Sequence, residues 1–541
     1  MAVTDLEPPL TAPATPAQPD RGRWSFPGLP VLGALAGLIC AAPALVVIAG
    51  ALGAGGTTSP PPFFWASVTG SLGLALVGGA AATLLGVISA WLVAMCAFPG
   101  RGFFSWALIL PLAAPGYVLA YAYAALTWAG GPVPFAVSGF WGAAFIYALA
   151  FYPYVYLAAR AAFASQSVCA LEAARSLGAS PLAMALKVAA PLAWPGVAAG
   201  AARAGMEMLA EFGVAQYLGV STLTTGVFRA WFSRAEPQAA LQLASLLLVA
   251  AVALLILERV LRGRRGFAGG SARWRPLPRY RLSPLASSLA FAFCGGLLVL
   301  AVVAPLGWLV RLAALRPLSD LPLLAEPLGN ALMLAAGAAL VTLPLAAILA
   351  ASARQQDRLR AGLERAGLFA AGMGYAAPGA VIALGALAAF AAAREAGLVG
   401  GLTGAAAIAA LLWTYAARFA APGAQPMEAG LARVSRSLGF AARTLGASPA
   451  RRFFVVDAPI AAPSVLAAAL IVFVEALKEL PATLILRPFD FDTLAVRAYA
   501  YASDERLSQA AAPALLIVLA GLVPVIVLSA RIERARAGSR A

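Results

Sequence analysis

The sequence predicts an all-α membrane protein of about twelve transmembrane helices, arranged as two tandem six-helix units. The first observation behind this prediction is composition. Hydrophobic residues make up 62% of the 541 residues and charged residues only 11%, which is too little polar surface for a water-soluble chain. The second is a series of apolar runs of the length that a bilayer requires. The third is an internal repeat at about half the length of the chain.

About twelve apolar runs follow one another, and a bilayer core needs roughly 20 such residues per helix. Alanine, leucine, valine and glycine dominate the runs without the two-residue alternation of a membrane barrel, so each run predicts a helix. The runs are centred on 29–54, 67–96, 103–129, 139–163, 188–211, 239–261, 285–310, 330–352, 367–392, 398–420, 460–485 and 510–530.

The basic residues predict the orientation of the chain. Most of them, Arg418 included, fall in segments that face the cytoplasm if the N-terminus is placed there, as the positive-inside rule requires. Both termini are then cytoplasmic. Residues 1–28 are rich in proline and predict a disordered tail, and 531–541 form a second tail. A cleaved signal peptide is the alternative for the N-terminus, although the first span is long for one.

Composition also bears on chemistry. The chain has no histidine, the usual participant in zinc, haem and acid–base sites, and its four cysteines are far apart. Neither of its lysines, Lys187 and Lys478, follows the glycine of a GxxxxGK[ST] phosphate loop. We therefore expect no catalytic site and no cofactor in this chain. The net charge of +16 is dispersed in short clusters between apolar runs, which indicates topology and not nucleic-acid binding.

The internal repeat is the most informative feature. A shift of 268 residues aligns Glu172–Pro191 with Phe440–Pro459 without a gap, and the match continues outward along the chain. An AAPG sequence at 113–116 recurs at 376–379. The repeat predicts a first unit at 29–261, an Arg-rich cytoplasmic linker at 262–284 and a second unit at 285–530. Six spans return the chain to the same side, so both repeated loops face the cytoplasm.

One repeated motif resembles a known family. Glu172-Ala173-Ala174, then Gly178, then Val188-Ala189-Ala190-Pro191 resembles the EAA loop, EAA-x3-G-x9-I-x-L-P, of binding-protein-dependent ABC importer permeases. The resemblance implies two type I permease units and two separate ATPase subunits that hydrolyse ATP on the cytoplasmic face. The docking residues that it implies are Glu172, Ala173, Ala174, Gly178 and Pro181 in the first loop and Ala441, Ala442, Gly446 and Pro449 in the second.

The second loop departs from the pattern because Phe440 replaces the acid, so we expect two unequal docking sites. A plain alternative is that Gly-Ala-Ser-Pro is a tight connection between spans. Two copies at one offset, both cytoplasmic, argue against that alternative.

Further segments are similar to the ferric-iron group of these permeases, namely 211–231 and Lys478–Leu484 with the loop that follows. The resemblance implies iron(III) delivered by a periplasmic binding protein and carried across a bacterial inner membrane, with lipid around the helices. Importers of thiamine or 2-aminoethylphosphonate share the fused layout and remain alternatives. A twelve-helix secondary transporter is the alternative from another class, but its loop signature has only a faint echo at Asp357–Arg360.

Four carboxylates occupy symmetric places toward the outer ends of the fifth and eleventh predicted spans: Glu207, Glu211, Glu475 and Glu479. The i, i+4 spacing puts each pair on one helix face. Acids inside a membrane usually face a cavity, and a hard trivalent cation prefers oxygen ligands. We predict that they line the mouth of the iron path. The structural alternative is that Arg203 and Lys478 hold them in ion pairs.

Two outer loops, 213–236 and 487–509, carry most of the polar residues predicted to face the periplasm. A binding protein must dock on this face, and polar side chains suit a transient contact. Ordinary solvated loops are the alternative. The residues concerned are Arg229, Arg234, Asp490, Asp492, Asp504 and Glu505.

Overall fold

The computed structural model describes most of the chain, and this part is almost entirely helical. The described residues are 28–53, 60–127, 136–164, 166, 176–178, 181–263, 279–317, 322–353, 361–398, 400, 403–432, 438, 441–442, 444–452, 455–456 and 458–537. Several predictions fall outside them: nearly all of the tail at 1–28, the loop residues 172–174, most of the linker at 262–284, the segment 357–360, and Phe440.

The first half of the chain contains α1 (Leu29–Gly53), α2 (Phe64–Met95), α3 (Arg101–Ala107), α4 (Gly116–Thr127), α5 (Gly139–Ala164), α6 (Pro181–Met184), α7 (Ala190–Ala210), α8 (Gly213–Tyr217), α9 (Leu223–Phe228) and α10 (Pro237–Gly263). The second half contains α11 (Pro284–Leu298), α12 (Ala304–Ala314), α13 (Ala325–Ser352), α14 (Ala361–Ala376), α15 (Gly379–Glu395), α16 (Gly404–Ala432), α17 (Pro449–Arg452), α18 (Ala458–Leu477), α19 (Pro481–Leu486), α20 (Leu494–Ser503) and α21 (Leu507–Ala537).

The helices are those of a multi-pass membrane protein. Within the described ranges, eight helices are long and apolar enough to cross a bilayer, and two bent helix pairs raise the number to ten if each pair is one span. Helices α7 and α21 lie at the fifth and twelfth predicted runs without adding to this number. The total of twelve spans in two units stays a prediction.

Two of the predicted spans are broken, which corrects the expectation of one continuous helix for each. The chain bends by 93° between the helical segment 101–113 and α4, and by 109° between α14 and α15. Both breaks fall at the AAPG sequences, at Pro115 and Pro378. Proline lacks an N–H and disfavours helical geometry in the residue before it, and Ala114 is accordingly extended, with φ −99° and ψ 124°.

Each half of the chain builds the same three-helix core. Helices α2, α5 and α7 pack on one another in the first half, as α13, α16 and α18 do in the second. Gly86 of α2 lies so close to α5 that a Cβ there would stand 2.7 Å from the Val155 side chain. Small residues allow this approach, as they do at helix interfaces in membranes generally.

The first span of each half packs on the other half. Helix α1 lies along α14 and α15, where a side chain at Gly37 would collide with the backbone of Gly367. Conversely, α12, the second part of the span 284–314, packs on α4. The Tyr123 hydroxyl of α4 donates to the carbonyl of Leu300, 2.6 Å away, in the turn that joins α11 to α12. The two halves are therefore interlocked.

Three boundaries differ from the predicted ones. Helix α16 continues to Ala432 through two prolines, so Arg418 lies inside a helix and not in a segment that follows one. Helix α21 continues to Ala537, into the predicted tail at 531–541. Residues Tyr280 and Arg281 of the predicted linker form a two-residue strand parallel to Cys96 and Ala97 at the end of α2. There the Tyr280 side chain is buried.

Candidate translocation path and coupling loops

The two repeated loops turn at equivalent glycines. Gly178 has a φ of +78° and Gly446 a φ of +76°, the left-handed region that only glycine adopts without strain. The residue before each glycine is a leucine, and both Leu177 and Leu445 are 87% exposed. Each loop therefore turns sharply and holds one apolar side chain away from the rest of the molecule.

The second loop shows how the turn is stabilised. The Leu445 N–H donates to the Ala441 carbonyl at 3.1 Å, and the Ala447 N–H donates to the Ala442 carbonyl at 2.9 Å. This second bond spans Gly446 and is the six-to-one bond of a Schellman motif, which ends a helix and redirects the chain.

After the turn, a proline begins a short helix in both loops, Pro181 in α6 and Pro449 in α17. In the first loop, Glu172, Ala173 and Ala174 lie outside the described residues. The docking roles of the two loops stay predictions.

Glu479 is held in a polar cage of its own half. Its Oε1 lies 2.7 Å from Nη1 of Arg418, a residue of α16. Its Oε2 accepts backbone N–H groups of Ala482 at 3.0 Å and Thr483 at 3.2 Å, in the first turn of α19. The Tyr415 hydroxyl lies 2.6 Å from that of Thr483 and completes the cage. The Glu479 carboxylate is thus buried, paired and hydrogen-bonded.

Glu211, its repeat equivalent, has a different environment. Its Oε1 accepts the Val214 N–H at 3.2 Å, in the first turn of α8. Tyr147 and Thr224 donate to its backbone carbonyl, at 3.4 Å and 3.2 Å, and not to its carboxylate. The residue is half-buried. In the described part of the chain, no lysine or arginine forms an ion pair with it.

Each carboxylate lies against the glycine that follows the nearest helix break. A Cβ at Gly116 would stand 3.1 Å from Oε2 of Glu211, and a side chain at Gly379 would collide with Oε1 of Glu479. These glycines begin α4 and α15, where the unpaired N–H groups of a first helical turn favour negative charge. Each half of the chain therefore has one site in which the helix break at the AAPG sequence lies beside an acid, Glu211 in the first half and Glu479 in the second.

The expectation that each i, i+4 pair shares one helix face is wrong. Helix α7 ends at Ala210 and α18 ends at Leu477, so Glu211 and Glu479 lie just after a helix and not within it. Each instead turns toward the N-terminus of the next short helix and accepts its N–H groups. Because the acid accepts these N–H groups, the longer helix ends before it. The i, i+4 spacing of the acids in the sequence does not reveal this competition.

The other two acids, Glu207 and Glu475, have basic neighbours in the same helix. Arg203 Nε lies 3.4 Å from Glu207 Oε1, and Lys478 Nζ lies 2.8 Å from Glu475 Oε1. The Tyr375 hydroxyl, from the second half of the chain, also donates to Glu207 Oε1 at 2.7 Å. The ion pairs of the structural alternative are thus formed, while a role for the four acids in transport stays a prediction.

The polar residues of the outer loops are arranged differently in the two halves. In the second loop, Asp492 pairs with Arg487 and with Arg497, whose Nη2 lies 3.2 Å from Oδ2. In the first loop, Arg229 lies over the Phe63 ring at 5.1 Å, and Arg234 pairs with the adjacent Glu236 at 3.0 Å. Asp490, Asp504 and Glu505 are exposed.

Sequence reasoning missed Arg418 and the two tyrosines Tyr147 and Tyr415. Arg418 was counted with the cytoplasmic charges, because nothing in its neighbourhood marks a continuing helix. A signal for the tyrosines does exist: the 268-residue shift also aligns Tyr147 with Tyr415 and Phe151 with Phe419. Each tyrosine ring packs on the phenylalanine one turn later, with centroids 5.5 Å and 5.9 Å apart.

Comparison with known proteins identifies the class. Residues 82–264 match the family described as binding-protein-dependent transport system inner membrane component. The predicted resemblance to binding-protein-dependent permeases is confirmed.

A particular relative covers much more of the chain. Over 450 residues, the chain is 27% identical to the Fe(3+)-transport system permease protein FbpB 2 of Haemophilus influenzae. The match includes 82% of this chain and 85% of that protein, so it extends through both predicted units.

Proposed function

We propose that this chain is the fused permease subunit of an ABC importer that carries iron(III) across the bacterial inner membrane. The observation that supports iron(III) as the cargo is the similarity to an Fe(3+)-transport permease over 82% of the chain. This similarity covers far more residues than any single motif. A periplasmic binding protein delivers the iron, and both termini of the permease lie in the cytoplasm.

Two separate ATPase subunits drive the cycle, and this chain holds no ATP itself. Each subunit docks on one of the repeated loops, at 172–181 and 440–449. The support is geometric: an exposed leucine, Leu177 or Leu445, stands before a left-handed glycine in each loop. An apolar side chain at a sharply turned helix end can insert into a groove on the ATPase subunit. A movement of that subunit then displaces the adjoining helix of the permease.

The cargo is tested by uptake of radiolabelled iron(III) in a strain that lacks this gene. We expect the wild-type chain to restore uptake and a Gly178→Arg plus Gly446→Arg variant to fail. A side chain at φ near +77° strains the backbone, and a guanidinium disrupts an apolar contact. If the strain takes up iron normally without the gene and without a second importer, the cargo is wrong, and uptake of thiamine and 2-aminoethylphosphonate is measured next.

The docking loops are tested separately. A Leu177→Asp plus Leu445→Asp variant should reach the membrane in normal amount but no longer co-purify with the ATPase subunits. Leu398→Asp is the matched control, because this leucine is also exposed, at 78%, but lies in a predicted periplasmic loop. Retention of the ATPases by the double variant, or their equal loss in the control, would contradict the proposal.

A further inference from the structure

Two buried tyrosine hydroxyls near Glu211 have no hydrogen-bond partner within the described structure. They belong to Tyr121 of α4, whose side chain is 1% exposed, and to Tyr217 of α8. The two rings meet edge to face with centroids 4.8 Å apart. A buried hydroxyl without a hydrogen-bond partner destabilises the folded chain, so two adjacent ones require an explanation, and binding of a ligand is one.

The two phenols lie on helices that begin beside the Glu211 carboxylate, Tyr121 on α4 and Tyr217 on α8. Gly116 stands against that carboxylate, Tyr117 follows it, and Tyr121 comes one helical turn later, its ring 5.7 Å from the Tyr117 ring. Tyr117 itself donates to the Lys478 carbonyl at 3.2 Å, which leaves Tyr121 and Tyr217 as the unpartnered pair.

The second half of the chain lacks this arrangement. By the AAPG alignment, Tyr121 corresponds to Leu384, and by the 268-residue shift Tyr217 corresponds to Ile485. The carboxylate of that half, Glu479, is already neutralised by Arg418. The position equivalent to Arg418 in the first half is an alanine, Ala150. Phenol oxygens without partners and a carboxylate without an ion pair therefore occur together at this place in the first half and not at the equivalent place in the second.

We propose that Glu211, Tyr121 and Tyr217 form a one-sided oxygen site that holds the trivalent cation in transit. The proposal rests on the iron(III) function proposed above. Carboxylate and phenolate oxygens are hard ligands for a hard cation, and each phenol releases its proton when it binds. No group of three His, Cys, Asp or Glu side chains in the described ranges can hold a metal, so an oxygen site here needs the tyrosines.

Uptake of radiolabelled iron(III), measured per chain in the membrane, gives the first test. Glu211→Gln and the double variant Tyr121→Phe/Tyr217→Phe should each reduce uptake by roughly tenfold or more, and both should still assemble with the ATPase subunits. The matched control comes from the second half: Tyr415→Phe, which removes one buried tyrosine hydroxyl outside the proposed site. This control should keep uptake close to that of the wild type.

A spectroscopic test reports binding without transport. The purified full-length chain is titrated with iron(III) nitrilotriacetate, and a phenolate-to-iron charge-transfer band is sought in the visible spectrum. We expect the band in the wild type and in Tyr415→Phe, and its loss in Tyr121→Phe/Tyr217→Phe.

The outcomes separate this inference from the proposed function. If the wild type imports iron while Glu211→Gln and the double tyrosine variant import it equally well, the site is wrong and the function stands. A band that is absent from the wild type, or that survives in the double variant, also overturns the site. If the wild type imports no iron, the function itself fails.

Discussion

Glu211 and Glu479 occupy equivalent places in the two halves of the chain, yet their surroundings differ. Both accept an N–H from the next short helix, and both lie against a glycine that follows a helix break. Only Glu479 has a guanidinium partner, Arg418. The comparison shows that a repeated acid can be a structural ion pair in one half and an open carboxylate in the other, so sequence symmetry does not imply equal roles.

The largest expected effect comes from breaking the pair at Glu479. Glu479→Gln leaves the Arg418 guanidinium buried without its carboxylate, which should destabilise the chain by about 3–5 kcal/mol. Glu211→Gln strands no cation and should change stability little. Thermal unfolding of the purified chains in detergent measures both. Equal melting temperatures for the two variants would contradict the stated difference between Glu211 and Glu479. The double variant Arg418→Met with Glu479→Gln should recover most of the stability that Glu479→Gln loses.

A second contrast concerns the glycines beside the two acids. Gly379→Ala places a Cβ onto Glu479 Oε1, which its bonds hold in position, so we expect a loss of about 1–3 kcal/mol. Gly116→Ala meets Glu211 Oε2 at 3.1 Å, and a half-buried carboxylate can shift, so the loss should be smaller. The same unfolding measurement decides, and a larger loss for Gly116→Ala would refute the stated difference in rigidity.

The two repeat-equivalent tyrosines, Tyr147 and Tyr415, should differ less in their contribution to stability than the two glycines do. Tyr415→Phe removes a buried hydroxyl that lies 2.6 Å from the Thr483 hydroxyl, at a cost of about 1 kcal/mol. Tyr147→Phe removes a longer bond, 3.4 Å, to the Glu211 carbonyl and should cost less. Urea or thermal unfolding of both variants side by side checks the order, which a greater loss for Tyr147→Phe would reverse.

The smallest expected effect lies in the outer loops. Asp492→Asn removes a part-exposed acid from its two arginines and should cost about 0.2–1 kcal/mol, less at high salt. Asp490→Asn, two residues away and exposed, serves as the control and should have no measurable effect on unfolding. The prediction fails if both variants lose the same stability at low salt.

The sequence predicted the membrane class, the helical runs and the two loops, because these depend on local composition and on a repeat that spans half the chain. It also placed four acids at symmetric positions, and their role in transport stays a prediction. It did not predict the helix ends at Ala210 and Leu477, because an acid that caps the next helix has the same spacing as one on a continuing face. Arg418 was misplaced for a related reason: its partner is 61 residues away in the chain, and no local pattern reports that contact.

The close approach of Gly37 to Gly367 sets an order of events during synthesis. Helix α1 leaves the ribosome first, but its partner follows about 330 residues later, a delay of roughly 15–65 s at ordinary translation rates. During that interval the glycine face of α1 is without the helix that covers it in the finished structure. A face of glycine and alanine suits the later contact, because small residues let two helix backbones approach closely. The interlocked packing of the two halves is therefore completed only when the second half has entered the membrane.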